Sequence, residues 1–156
     1  MYRRRHPCSD LPTALFDAHD LGRRVYDRGG NRPEVRFDCT DREPLLPVLV
    51  GGTVELFQWG SRDRAGPLPT TPWTWRASVD AGAWAGVGCD TEACVIPARY
   101  GFERGVWFLI TEGIHGLLVR PPETAPAAYM VCEPSTRYYR VMTRSDRMPW
   151  LVGEVI

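Results

Sequence analysis

Apolar residues fall into two rhythms along the chain, one helical stretch followed by a series of strands. From residue 10 to residue 28, Leu11, Leu15, Ala18, Leu21 and Val25 recur at spacings of three and four, the period of one helix face. Pro12 suits a first turn and Gly29-Gly30 a stop, which predicts a helix over 10–28. Beyond it, Leu45–Val50 and Thr53–Trp59 are apolar or β-branched runs separated only by Gly51-Gly52, the signature of a tight hairpin. Residues 62–72, rich in Pro, Gly and Thr, read as an exposed loop. Short strand-like runs follow over 93–98, 105–111, 114–119, 127–133 and 138–143, with Glu112-Gly113 as a second hairpin tip. A weaker helix is expected over 78–85, where Gly82 counts against it.

One N-terminal helix and many short, mostly antiparallel strands predict a β-rich α+β fold, with no repeat or linker to divide residues 1–156 into more than one domain. A chain of 156 residues buries enough surface to fold without disulfides or a structural metal. Its longest apolar runs are short and broken by proline, as at Pro47, so no membrane span is expected. Arg3, Arg4 and Arg5 have no apolar segment behind them, so no signal peptide is expected and the chain is assigned to the cytoplasm.

All 19 basic side chains are arginine. The planar guanidinium suits phosphate contact, but Gly, Ala, Pro and Trp are abundant alongside it, which a GC-rich coding sequence produces whatever the function. Formal net charge is zero, so no overall field draws the chain onto nucleic acid and any basic site is local. Both ends are locally basic: residues 1–36 hold eight arginines against five acids, and residues 137–149 hold four against Asp146. Five cysteines without a Cys-x-x-Cys pair and three isolated histidines give no metal-ligand spacing, and neither a metal nor a cofactor is expected.

Two runs carry the most specific information, Cys94-Val95-Ile96-Pro97-Ala98-Arg99-Tyr100-Gly101-Phe102-Glu103 and Ser145-Asp146-Arg147-Met148-Pro149. The first resembles the Cys-Leu-Ile-Pro-Ala-x-Gly-Phe-Tyr-Glu segment of the SRAP family, the SOS-response-associated peptidases that cross-link to abasic sites in single-stranded DNA. The second resembles that family's His-x-Arg-Met-Pro. Between and before them, Arg36-Phe37-Asp38, Pro47-Val48, Trp59-Gly60, Pro72-Trp73 and Thr74-Trp75-Arg76 follow the family's order, so the resemblance spans nearly the whole chain. The family pattern continues well past Arg-Met-Pro; here little follows it.

The resemblance implies a SRAP fold, with Glu103 on the family's catalytic glutamate, Arg4 and Arg76 on arginines that contact the DNA backbone, and Arg147, from the Arg-Met-Pro match, as a third DNA-binding candidate. It also exposes three departures. In the family an N-terminal cysteine attacks the aldehyde of the opened abasic sugar with its α-amine and closes a thiazolidine with its thiolate; here that position is Tyr2, which has no thiol. A residue so large also disfavours removal of Met1. Thr74 replaces the family's orienting Asn, and Ser145 its acid–base His. Glu103 reads either as a retained site residue or as an exposed strand-end carboxylate. Arg147 reads either as a phosphate contact or as a rim arginine pairing Asp146 or a strand carbonyl. Cys94 reads as packing, and His115 as a structural histidine at a hairpin. The expected function is a non-catalytic pseudoenzyme binding single-stranded DNA without sequence preference. The alternative is a protein-interaction or structural component of a phage or mobile element that reuses a shortened SRAP fold. An active enzyme with a nucleophile moved to Cys39 is a third reading.

Overall fold

The computed structural model describes residues 2–7, 11–27, 33–154 and 156, the first five of these by backbone path. Asp10, Arg28, Gly29-Gly30 and Cys8, on which the helix ends and one thiol depended, lie outside the described residues. The chain is a β-rich α+β fold of two sheets. The first has the strand order β2-β3-β1-β8-β9, built from β1 (Tyr2–Pro7), β2 (Val25–Tyr26), β3 (Glu34–Asp38), β8 (Tyr100–Glu103) and β9 (Val106–Leu109). The second has the order β10-β7-β4-β5-β11-β12, from β4 (Leu45–Val50), β5 (Thr53–Trp59), β7 (Asp90–Ile96), β10 (Ile114–Arg120), β11 (Ala127–Pro134) and β12 (Arg147–Pro149). Because β10 also pairs with β11, this sheet closes into a small barrel, and β6 (Trp73–Trp75) lies parallel along β11.

Alternation along β11 fixes the two sides of the barrel wall. Ala128, Met130 and Cys132 enter the main core with Leu46, Val48, Ile96, Ile114 and Leu118, which is completed by Val35 and Phe37 of β3. Ala127, Tyr129 and Val131 face the other way, into a second cluster with Leu117, Val119, Leu68 and Trp84. Covered on both faces, β11 is a continuous buried run.

The β4–β5 hairpin forms as its sequence predicts, with Gly51 and Gly52 at φ 56° and 85°, the positive values that a two-residue turn requires. Other expectations change. The N-terminal helix shrinks to α1 (Thr13–Ala18) and a 3-10 turn over Leu21–Arg24, parted at Asp20, whose φ is 48°. Of its predicted stripe Leu11 and Leu21 are buried and Leu15 is half-buried, whereas Val25 belongs to β2 and is exposed. The weaker helix is α2 (Arg76–Asp80) followed by a 3-10 turn over Ala83–Val87, interrupted at Gly82 in the left-handed region. Residues 138–143, read as a strand from their β-branched and aromatic content, form α3 (Arg137–Thr143) instead. Thr136 caps it, its Oγ1 accepting from the Tyr139 N–H at 3.1 Å. Glu112-Gly113 is no hairpin tip, because the strands on its two sides, β9 and β10, belong to different sheets. Among the described residues no helix is long and apolar enough to cross a membrane.

Candidate functional site

Glu103 ends β8, directly opposite Tyr2 in the antiparallel register that also sets Arg4 against Gly101. On β8 it shares the face of Gly101, whose partner on β9, Phe108, packs on the main core. The carboxylate is therefore turned inward, and at 1% exposure it is not the solvated strand-end group that one reading of the sequence allowed. A carboxylate so withdrawn from water requires polar company. One neighbour is the Arg104 guanidinium, whose Nε lies 3.8 Å from Glu103 Oε1. Arg104 occupies the two-residue β8–β9 turn at φ 46°, a backbone region uncommon outside glycine.

The same guanidinium donates to the carbonyl oxygen of Arg144, the residue that ends α3 at φ 54°. It thus ties the Glu103 turn to the segment carrying Ser145 and Arg147. The Ser145 hydroxyl donates to the Arg147 carbonyl at 2.8 Å and its N–H donates to Thr143 Oγ1 at 3.2 Å, so it shapes the turn into β12. Arg147 lays its guanidinium over the Trp73 ring at 4.3 Å, and Trp73 packs on the main core. The acid beside it in sequence, Asp146, pairs instead with Arg140 at 3.2 Å.

Thr74 and Arg76 stand apart from this group. Successive residues of β6 face opposite sides, so Trp73 meets the main core while Thr74 turns to the second cluster, where its Oγ1 accepts from the Trp84 indole at 3.1 Å. Arg76 stacks at 4.0 Å on Trp150, a ring of that second cluster, and pairs with Glu133 at 3.2 Å and Asp80 at 3.6 Å. The sequence-level candidates thus divide into two sets, Tyr2, Glu103, Ser145 and Arg147 on one, Thr74 and Arg76 on the other, with the Arg4 backbone among the first. The Arg4 side chain lies outside the described residues.

Trp150 also stacks on His115, with centroids 3.6 Å apart and planes 22° from parallel. Burial and the Arg76 guanidinium push the His115 imidazole below its ordinary value, against a smaller opposing pull from Glu133. An unfolded chain takes up this proton as pH falls through about 6.5, while the folded chain resists it. Stability from this residue is therefore full above that pH and is lost as pH falls toward the depressed folded value. The melting temperature of the wild type is expected to fall more on acidification from pH 7.5 to 5.5 than that of His115→Gln; parallel profiles contradict the stacked, neutral imidazole. Elsewhere, burial, followed by the Glu92 carboxylate, pushes the Cys94 thiol up to about 12, which keeps it protonated and unreactive at neutral pH. Cys39 lines a separate cleft with Arg62 and Arg64.

Arg104, Arg144 and the Trp150 stack were not singled out by the sequence. The one signal for Arg104 and Gly105 was their place between two apolar strand runs, the position of a hairpin turn. No protein-family model matches the chain, and neither a curated protein nor a solved structure does.

Proposed function

We propose that this chain is a SRAP-like domain that has lost the abasic-site reaction and holds single-stranded DNA without a covalent bond, in the cytoplasm and without a cofactor. The observation that carries the reading is the register of β1 on β8, which sets the second residue of the chain opposite a buried glutamate. In the family's chemistry that pairing joins nucleophile and proton-transfer group. Here the nucleophile's position is Tyr2, and the two residues in place of the orienting Asn and the acid–base His are engaged elsewhere, Thr74 with Trp84 and Ser145 with a main-chain carbonyl. Arg147 remains as a guanidinium laid over the Trp73 ring, a group suited to phosphate contact. Arg76, tied to two carboxylates on the second cluster's side, has a smaller part in this reading than its sequence match implied.

An oligonucleotide carrying an abasic site is expected to give no heat-stable shifted band with the unmodified protein on a denaturing gel; such a band overturns the loss of chemistry. Fluorescence anisotropy with intact single strands is expected to show binding that weakens with salt, Arg147→Ala lowering the salt slope by about 0.7 and Arg76→Ala changing it less. No binding at low salt overturns the nucleic-acid part. The second reading, a protein-interaction component, is favoured by a separate observation, the apolar side chains left exposed along β9 and α3.

A further inference from the structure

Where the connection from β3 to β4 meets the segment leaving β5, a cleft of about 310 Å³ is lined by Cys39, Trp59, Ser61, Arg62, Arg64 and Thr70. Among the described residues its lining includes two arginines and no acid. Both arginines are exposed, and neither pairs with a described carboxylate. Arg23, Arg24, Arg76, Arg120 and Arg140, by contrast, each lie against an acid. The acid between the two arginines, Asp63, lines a neighbouring cleft with Gly66 and Leu68, its Oδ1 accepting from the Ala65 N–H at 2.9 Å. Asp41, in the β3–β4 connection, is held by Arg24 at 2.8 Å. Neither carboxylate lines the cleft, so its two positive charges stand without a counter-charge there.

The backbone that carries the arginines is fixed to the barrel. Gly60 N–H donates to the Ala128 carbonyl at 2.9 Å, and Ser61 N–H to the Pro69 carbonyl at 3.3 Å. The Trp59 indole donates to the Pro72 carbonyl at 2.7 Å, and the Tyr129 hydroxyl to the Pro69 carbonyl at 2.9 Å. At Gly60, where φ is 72°, a Cβ would stand 2.9 Å from the Thr71 carbonyl oxygen, so the two ends of this loop approach as closely as glycine alone permits. The cleft is shaped before a ligand arrives, which lowers the ordering cost of binding.

We propose that this cleft is a phosphate site, in which Arg62 and Arg64 hold the phosphoryl oxygens of a phosphomonoester and the Ser61 and Thr70 hydroxyls add hydrogen bonds. Guanidinium forks match the oxygens of such an anion, and a doubly charged monoester balances two of them. A volume of about 300 Å³ is at the small end of ligand pockets and holds a phosphoryl group with a small carrier. The internal phosphodiesters of a nucleic-acid strand suit it less: each carries a single charge, and the one ring in the cleft, Trp59, is 2% exposed and offers no face to a base. A monoester comes either from a small metabolite or from the terminal phosphate of a strand. Neither Glu103 nor Arg147 takes part, so this site stands apart from the single-strand reading.

The test follows amide NMR shifts of the full chain titrated with inorganic phosphate, then with ribose 5-phosphate and with oligothymidylate bearing or lacking a 5′-phosphate. Expected with inorganic phosphate are saturable shifts over residues 61–64 and at Thr70. Arg62→Ala and Arg64→Ala are each expected to weaken binding by about tenfold, the scale of one charge-assisted hydrogen bond. Arg23→Ala removes the same charge elsewhere and is expected to bind as the wild type does; melting temperatures of all three variants stay unchanged because these side chains are exposed. The same shifts with ribose 5-phosphate assign a small carrier, and tighter binding of the 5′-phosphorylated strand than of ribose 5-phosphate assigns a strand end. Absence of saturable shifts at low salt, shifts elsewhere on the chain, equal affinity for malonate, or equal weakening by Arg23→Ala overturns the phosphate site. So do the same shifts produced by the strand without a terminal phosphate. No DNA enters the inorganic phosphate titration, so its failure does not touch the single-strand reading.

Discussion

Replacing Phe37 with alanine is expected to destabilise the fold by about 3–5 kcal/mol, the range for truncating a fully buried aromatic side chain. Phe37 is among the largest side chains wholly removed from solvent, and it belongs to the main core although its strand lies in the other sheet. Its removal opens a cavity where the five-stranded sheet meets the barrel. Phe37 is also the register partner of Arg4, so the strand that presents Tyr2 to Glu103 loses its backing at the same place. Urea denaturation measures the loss, with Leu49→Ala as a comparison at an exposed position of β4. A change below about 1 kcal/mol, the scale of surface substitutions, means that the two sheets do not share one core.

The second large effect is expected at Gly113. Its φ of 124° is one that side-chain-bearing residues rarely adopt, and a Cβ there would meet Val95 Cγ1 at 2.8 Å and the Ile96 carbonyl oxygen at 3.0 Å. Backbone strain and overpacking each cost of order 1–3 kcal/mol, so Gly113→Ala is expected to lose about 3 kcal/mol. The loss spreads to the C-terminal segment, because the Gly113 carbonyl accepts from Val152 N–H at 3.1 Å. Adding Val95→Ala is expected to recover only part of it, since the dihedral and the backbone oxygen stay. Full recovery in thermal denaturation contradicts this account.

What the sequence revealed follows the range of the interactions involved. The β4–β5 hairpin was legible because its strands and both turn glycines are contiguous. The runs that became β7, β9, β10 and β11 were legible as strands, but their partners were not, and the closure of the barrel by β10 on β11 has no local signature. The strand β1 was missed for the same reason: three arginines and a histidine show no alternation, and their pairing comes from β3 and β8. In α3, β-branched and aromatic content outweighed a Thr cap that was there to be read. Within the site, the family resemblance drew attention to Glu103, Ser145 and Arg147. It could not foretell that Thr74 turns to the other side of β6, because one residue of phase in a strand exchanges faces, or that Arg76 opens α2 and stacks on Trp150.

The place of β1 in its sheet also bears on how the chain acquires its structure during synthesis. The strand β1 is the middle one of five, and both its neighbours, β3 and β8, are made after it, the second of them only after β4, β5 and β7 of the barrel. Until Tyr100–Glu103 has been translated, one side of β1 has no strand to pair with. Pairings between such distant segments raise the contact order and slow the final closure. During that interval the nascent chain exposes a sheet edge to other molecules, and a chaperone that shields its N-terminal residues would protect the yield of folded protein more than one that acts after release.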